Sequence, residues 1–463
     1  MIAACRFLLI ILTSLTVARA GEPVGDYKDL FPPLPPVPEA ENGWLLAKKL
    51  SPKVVRPQSK GLDLMIMPGE EMSDRPIGVN RGLLKEYVAD NGPTVAVARE
   101  ILKCQAWQRV RRSDGNPDFV FPNDNTSWII YPCRVILAEA IVKAESGAPH
   151  QAWPDIIAVT RLGQRINQSG GTLLDTLTGS TLLVAGARAA AWAGQLAPDA
   201  ATARRMADEL RISEDPGDSF QRTLSGESYY ILQNFTALSK GGEPLKRMMV
   251  EMHVFSDSMR HIQLHFDKSL GGKVFGADTP VPQIKIPEYP YKENLAKWMK
   301  DPPATVLEQI EAATTTDWSK HIEAVVDTYR RARLTKPTTW ADYQKAHARD
   351  KDSVSESGEK PVAQAEGSEK FLYQTVISNT ARVRLACVSL LIKAWQLGHG
   401  GELPDSLELL VPKYLTGVPV DPFDGKVIRY EKSRRKLWCV GTNLKDDLAA
   451  DDSESDVIQP LAK

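Results

Sequence analysis

The chain has 463 residues, more than one ordinary domain holds, and at 43% hydrophobic it can bury substantial cores. A formal net charge of −1 excludes an overall pull toward nucleic acid or anionic membrane. The basic runs RVRR (Arg109–Arg112) and SRRK (Ser433–Lys436) are too short to restore one.

Residues 1–20, MIAACRFLLIILTSLTVARA, place one Arg before a mostly apolar run and end on the A-x-A site Ala18-Arg19-Ala20. That is the pattern of a secretory signal peptide, so an exported protein, periplasmic or extracellular, is expected. An uncleaved anchor is the alternative. The run is short for a membrane span and no later stretch reads as long enough, so no stable span is expected after cleavage. Beyond Cys5 the chain carries Cys104, Cys133, Cys387 and Cys439. Either two bridges form, with Cys104–Cys133 and Cys387–Cys439 keeping each within one region, or all four are buried thiols.

Residues 21–80 form a Pro-rich leader, with FPPLPPVP at Phe31–Pro38 favouring extended polyproline geometry and ENGWLLAKKL a short amphipathic helix. Residues 81–350 read as a helical domain. Val95, Ala98, Ile101 and Leu102 have helical spacing, as do Val135, Leu137, Ala138, Ile141 and Val142. Trp153-Pro154-Asp155 is expected to open a third helix, with Pro in its first turn. Leu173–Leu196 is apolar all round and should be central. Ala200–Leu210, Glu227–Leu238, with Ser225-Gly226-Glu227 as an N-terminus, and Glu243–Leu270 follow. Val274–Tyr291 reads as a Pro-broken excursion before helices at Asn294–Met299, Thr305–Ala313 and Ser319–Leu334. An irregular helical bundle or α-solenoid is expected. Residues 351–368 lack Leu, Ile, Phe, Tyr and Trp and read as a flexible linker.

Residues 369–463 change character. A helix with apolar positions Val383, Ala386, Cys387, Leu390, Leu391, Ala394 and Trp395 stops at HGGELPDSLELL, where Asp405–Leu410 can form a short helix. Strands are expected at Val427–Glu431 and Lys436–Val440, followed by the acidic run LKDDLAADDSESD. This order of helix, DPFDGKVIRY hairpin and acidic loop resembles the C-terminal domain of the major (G-type) pseudopilins of type II secretion. The resemblance implies a small α+β module behind the helices, and a calcium loop with Asp446, Asp447 and Asp456 as carboxylate ligands and the Leu444 carbonyl as a backbone ligand. Oxygen ligands crowded on a loop suit calcium. Two departures stand out. LAADDSES replaces the Gly-rich part of the family loop, and the prepilin methylation motif with its contiguous helix is missing, which argues against pilus assembly. ENGW, PDFVFP and SGAPHQAW also resemble the helical part of uncharacterised exported bacterial proteins carrying the same module.

The helix over Glu243–Leu270 sets His253, Asp257, His261 and His265 at four-residue steps. Two histidines one turn apart can share a metal, but HIQLH lacks the Glu of H-E-x-x-H. G-x-S-x-G, P-loop and G-x-G-x-x-G motifs are absent. The leading expectation is an exported, non-catalytic interaction or scaffold protein, with protein partners in the cell envelope and calcium in its C-terminal module. The alternatives are an exported metal-dependent hydrolase on the His253–His265 face, and an envelope component of a type II secretion-like system.

Overall fold

A computed structural model describes residues 29–30, 36–50, 81–109, 129–214, 218–270, 289–314, 318–348, 360–448 and 456–461. The signal peptide, residues 31–35 of the polyproline segment and most of the Val274–Tyr291 excursion lie outside the described residues. The fold is mainly α, with a small antiparallel sheet near the C-terminus.

The early helices are α1 (Gly43–Leu50), α2 (Arg81–Asp90), α3 (Gly92–Leu102) and α4 (Ile130–Glu145). Asn42 explains the ENGW segment. Its Oδ1 accepts the Trp44 and Gln108 amides and its Nδ2 donates to Gln108 O, so α1 is pinned to the strand-like stretch after α3. Next comes α5 (Pro149–Asn167), which starts earlier than the sequence suggested. Pro149 takes the first-turn position, where its missing N–H is harmless, and Pro154 lies inside the helix.

At the centre is α6 (Leu173–Gln195), packed on α5 and α4. Thr172 and Asp175 form a reciprocal capping box that starts it. Its glycines let backbones meet. A Cβ on Gly163 of α5 would lie 2.4 Å from Leu183 N and 2.6 Å from Gly179 O, both on α6. After α7 (Ala200–Arg211) comes α8 (Ser219–Lys240). It begins before Ser225-Gly226-Glu227, so that triplet is helix interior and not a cap. Gly226 is required there, because a Cβ would meet Gly170 O and Gly171 O at 2.1 Å.

The capping box belongs to a buried polar network. Arg109 Nη1 donates to Asp175 Oδ2 at 2.8 Å, with both side chains at 5% exposure or less, and the guanidinium lies over the Trp44 and Tyr230 rings. Glu227 of α8 accepts the Leu173 amide at 2.7 Å. Burial pushes its carboxyl up to about 7. The Leu173 hydrogen bond works against that rise and the Asp175 charge adds to it.

The remaining helices are α9 (Gly242–Leu270), α10 (Tyr291–Lys300), α11 (Ala304–Thr314), α12 (Trp318–Leu334), α13 (Trp340–Ala348) and α14 (Lys360–Gly398). The sequence reading did not foresee α13. It also placed residues 360–368 in the linker, whereas they form the first turns of α14, with Ser368 and Glu369 buried. That segment is continuous with the part of α14 that is buried from Ser368 onward. Residues 351–359 lie outside the described residues.

Helix α14 joins the two regions that the sequence divides. It packs on α6, α7, α8 and α12, and on the sheet. Asn379 Nδ2 donates to Ser180 Oγ of α6 at 2.8 Å. Arg384 Nε donates to Glu214 Oε1 at 2.7 Å, and its Nη1 reaches Val420 O. The segment Gly367–Gly398 is long and apolar enough to cross a membrane by length and composition, which the sequence reading did not credit to any later stretch. In the structure 72% of its apolar window is buried within the chain.

The sheet has the order β1 (Arg429–Glu431), β2 (Lys436–Cys439), β3 (Val457–Pro460), all antiparallel. The third strand was not foreseen. A 3₁₀ turn at Leu407–Leu410 stands where a short helix was expected. Helix α13 is clamped on this unit: the Trp340 and Ala341 amides donate to Pro422 O and Phe423 O, and Trp340 Nε1 donates to Thr442 O. Cys104, Cys133, Cys387 and Cys439 are all buried free thiols, the second of the two readings.

Candidate functional site

Pairing of β2 with β3 sets Cys439 opposite Val457, so the acidic run is the β2–β3 connection and its two ends meet at the sheet. Leu444, Asp446 and Asp447 lie on the first arm, and Asp456 directly precedes β3. Residues 449–455, with Asp451, Asp452 and Glu454, lie outside the described residues. The first arm is tightly turned. Leu444 and Leu448 both have φ 58°, in the left-handed region that disfavours a branched side chain.

The loop carboxylates on this arm already have protein donors. Asp446 Oδ1 accepts Trp438 Nε1 at 2.9 Å and the Leu448 amide at 3.1 Å, and its Oδ2 lies 3.5 Å from Arg429 Nε. Asp447 Oδ2 accepts Asn443 Nδ2 at 3.0 Å. Among the described residues, no three His, Cys, Asp or Glu side chains form a metal cage. A cation on this arm would therefore draw on Asp447, the Leu444 carbonyl and Asp456 more readily than on Asp446.

Beside the loop stands a cluster that sequence reasoning missed. The guanidinium of Arg429 contacts Asp421, Asp424 and Asp446. Asp421 is 0% exposed; its Oδ1 accepts the Phe423 amide at 2.8 Å and its Oδ2 the Val440 amide at 2.7 Å. Burial pushes the Asp421 carboxyl up to about 6, against the lowering effect of those amides and of Arg429. For Asp424 burial also acts upward, but the Arg429 hydrogen bond and the Lys426 amide outweigh it and hold the carboxyl below the usual range. The arginine thus supplies the cation that organises DPFDGKVIR. The spacing of Asp421, Asp424 and Arg429 was the available signal: a tight turn brings all three to one side of the hairpin.

The histidine stripe of α9 faces aromatic rings. His253 packs on Trp298 of α10 with ring centroids 5.4 Å apart, and His261 on Tyr289 at 5.6 Å. Tyr289 Oη donates to Asp257 Oδ2 at 3.4 Å. The His265 side chain lies outside the described residues. His253 and His261 are thus part of the packing of α9 against the segment after the Pro-rich excursion.

Comparison of the chain with protein-family models, curated proteins and solved structures returned no match.

Proposed function

We propose that the chain is an exported, non-catalytic interaction or scaffold protein of the cell envelope, whose C-terminal unit resembles a pseudopilin domain and binds calcium in its β2–β3 loop. The observation that carries this reading is the course of α14. One helix packs against the helical body and against the sheet, so the strands that bracket the acidic run are tied to the same core as the helices. A mainly helical body of this kind offers helix faces for protein partners, whether its helices form an irregular bundle or an α-solenoid. Meeting of the loop ends at the β2–β3 pair favours a closed cation loop, with Leu444, Asp447 and Asp456 as ligands and Asp446 sharing its oxygens with Trp438 and Arg429.

The test is chemical cross-linking of the full chain in intact envelopes, with and without a calcium chelator. The reading predicts a reproducible protein partner cross-linked near Lys445, and its loss on chelation. Metal-dependent hydrolytic turnover that disappears in His261→Ala would overturn it in favour of catalysis on the α9 face.

A further inference from the structure

Residues of α5 and α7, with Leu102 and Gln105 at the end of α3, line an open groove of about 520 Å³. That volume is within the range of roughly 300–1,000 Å³ usual for small-molecule sites. Its lining concentrates positive charge in a chain whose net charge is −1. Arg161 and Arg165 sit one turn apart on α5, and Arg205 faces them from α7. The one carboxylate in the lining, Glu209, is engaged by Trp153 Nε1 at 2.6 Å.

The arginines differ in how they are satisfied. Arg165 donates to Cys104 O, which fixes its direction. Burial lowers its affinity for the proton, and the like charge of Arg161 lowers it further. Arg161 Nε is buried with no hydrogen-bond partner among the described residues. A buried charged donor without an acceptor is costly, and two guanidiniums one turn apart repel. The repulsion between the two guanidiniums falls when a multivalent oxyanion enters between them. Trp153, Ile157 and Met206 add apolar surface to the same lining. A second hollow of about 370 Å³ continues from Arg205 along α7 past Arg204.

We infer that this groove binds a small organic phosphate, with the dianionic phosphomonoester held by Arg161, Arg165 and Arg205 and the organic group lying against the apolar surface of Trp153, Ile157 and Met206. Guanidinium forks match phosphate geometry and pair with it through charge-assisted hydrogen bonds. The inference is independent of the calcium loop, which lies on the C-terminal unit.

The experiment is titration calorimetry of the full chain at low ionic strength with phenyl phosphate, inorganic phosphate and phenol. The expected result is saturable binding of phenyl phosphate, weaker binding of inorganic phosphate and none of phenol. Arg161→Gln and Arg205→Gln should each weaken phenyl phosphate by about tenfold, the usual loss for one charge-assisted hydrogen bond. Arg205 is exposed, so its variant keeps the test decisive even where Arg161→Gln does not fold. Cosedimentation with phosphatidylcholine vesicles, with and without phosphatidic acid, separates the sources of the phosphomonoester. Arginine-dependent capture by phosphatidic acid assigns a lipid headgroup, and calorimetric binding alone assigns a soluble ligand. Absence of phenyl phosphate binding, affinity unchanged in both variants, or equal affinity for inorganic phosphate or phenol overturns the inference.

Discussion

His347 Nε2 of α13 lies 2.9 Å from Glu369 Oε1 of α14, while His347 Nδ1 lies 2.9 Å from Tyr343 O. Both ring nitrogens therefore face oxygen acceptors, and the imidazole stacks on the Tyr343 ring with centroids 4.0 Å apart. Glu369 is 2% exposed. This contact fixes α13, the helix that clamps the DPFDG turn, to the long helix beneath it. His347→Ala removes this neighbour from a buried carboxylate and should cost about 1–3 kcal/mol. Replacing both residues, as in His347→Leu with Glu369→Leu, should restore much of that loss, because no unpaired charge remains. Chemical denaturation of the two variants checks the order; a double variant less stable than His347→Ala contradicts it.

Glu227 gives a pH dependence with a definite sign. Its carboxyl is raised to about 7 in the folded chain, from an ordinary value near 4.5. A raised acid contributes stability that is fully present below about pH 4.5 and lost as pH rises through about 7. The side chain keeps partial solvent contact, so the loss should be about 1–2 kcal/mol, below what the full shift implies. Glu227→Gln should remove this part of the pH dependence. Melting curves at pH 5 and pH 8 test it. An equal pH response in parent and variant would show that the carboxyl titrates normally.

Glycine positions separate close packing from local propensity. Gly163→Ala drives a Cβ into the α6 backbone and should destabilise by about 1–3 kcal/mol. Gly92→Ala, at the start of α3 with nothing within 4 Å of its Cβ, should be neutral or stabilise by up to about 1 kcal/mol. Comparable losses at both sites would contradict the close α5–α6 approach.

Leu448 is 60% exposed at φ 58°, so its side chain contributes little packing to offset its backbone strain. Leu448→Gly should stabilise the chain by about 0.5–1 kcal/mol. A destabilised variant would mean that the loop draws on this side chain.

Periodic apolar spacing made most of the helices legible, because a face such as Val383, Ala386, Leu390 and Ala394 has one way to be buried. The failures share a cause: contacts distant in sequence. Pro154 reads as a helix start until Pro149 is seen to take that place. Ser225-Gly226-Glu227 has the composition of a cap, yet Gly226 is there for the approach of Gly170 and Gly171. Residues 360–368 look too polar to order until α13 covers Glu369. At the candidate site, the acidic run was visible as composition. Arg429 was not, since only the hairpin turn brings it between Asp421, Asp424 and Asp446.

Calcium binding by the β2–β3 loop is tested most directly by thermal unfolding of the full chain in millimolar calcium against chelator, with Asp447→Asn and Asp456→Asn alongside. Extracellular calcium modules bind at about 10⁻⁴–10⁻³ M. At twenty times the dissociation constant, linkage gives roughly 2 kcal/mol, or on the order of 2 °C for a chain of this length. The predicted result is a calcium-dependent rise in Tm that both substitutions abolish. A Tm indifferent to calcium, or a rise that survives both substitutions, would contradict a calcium site on these residues.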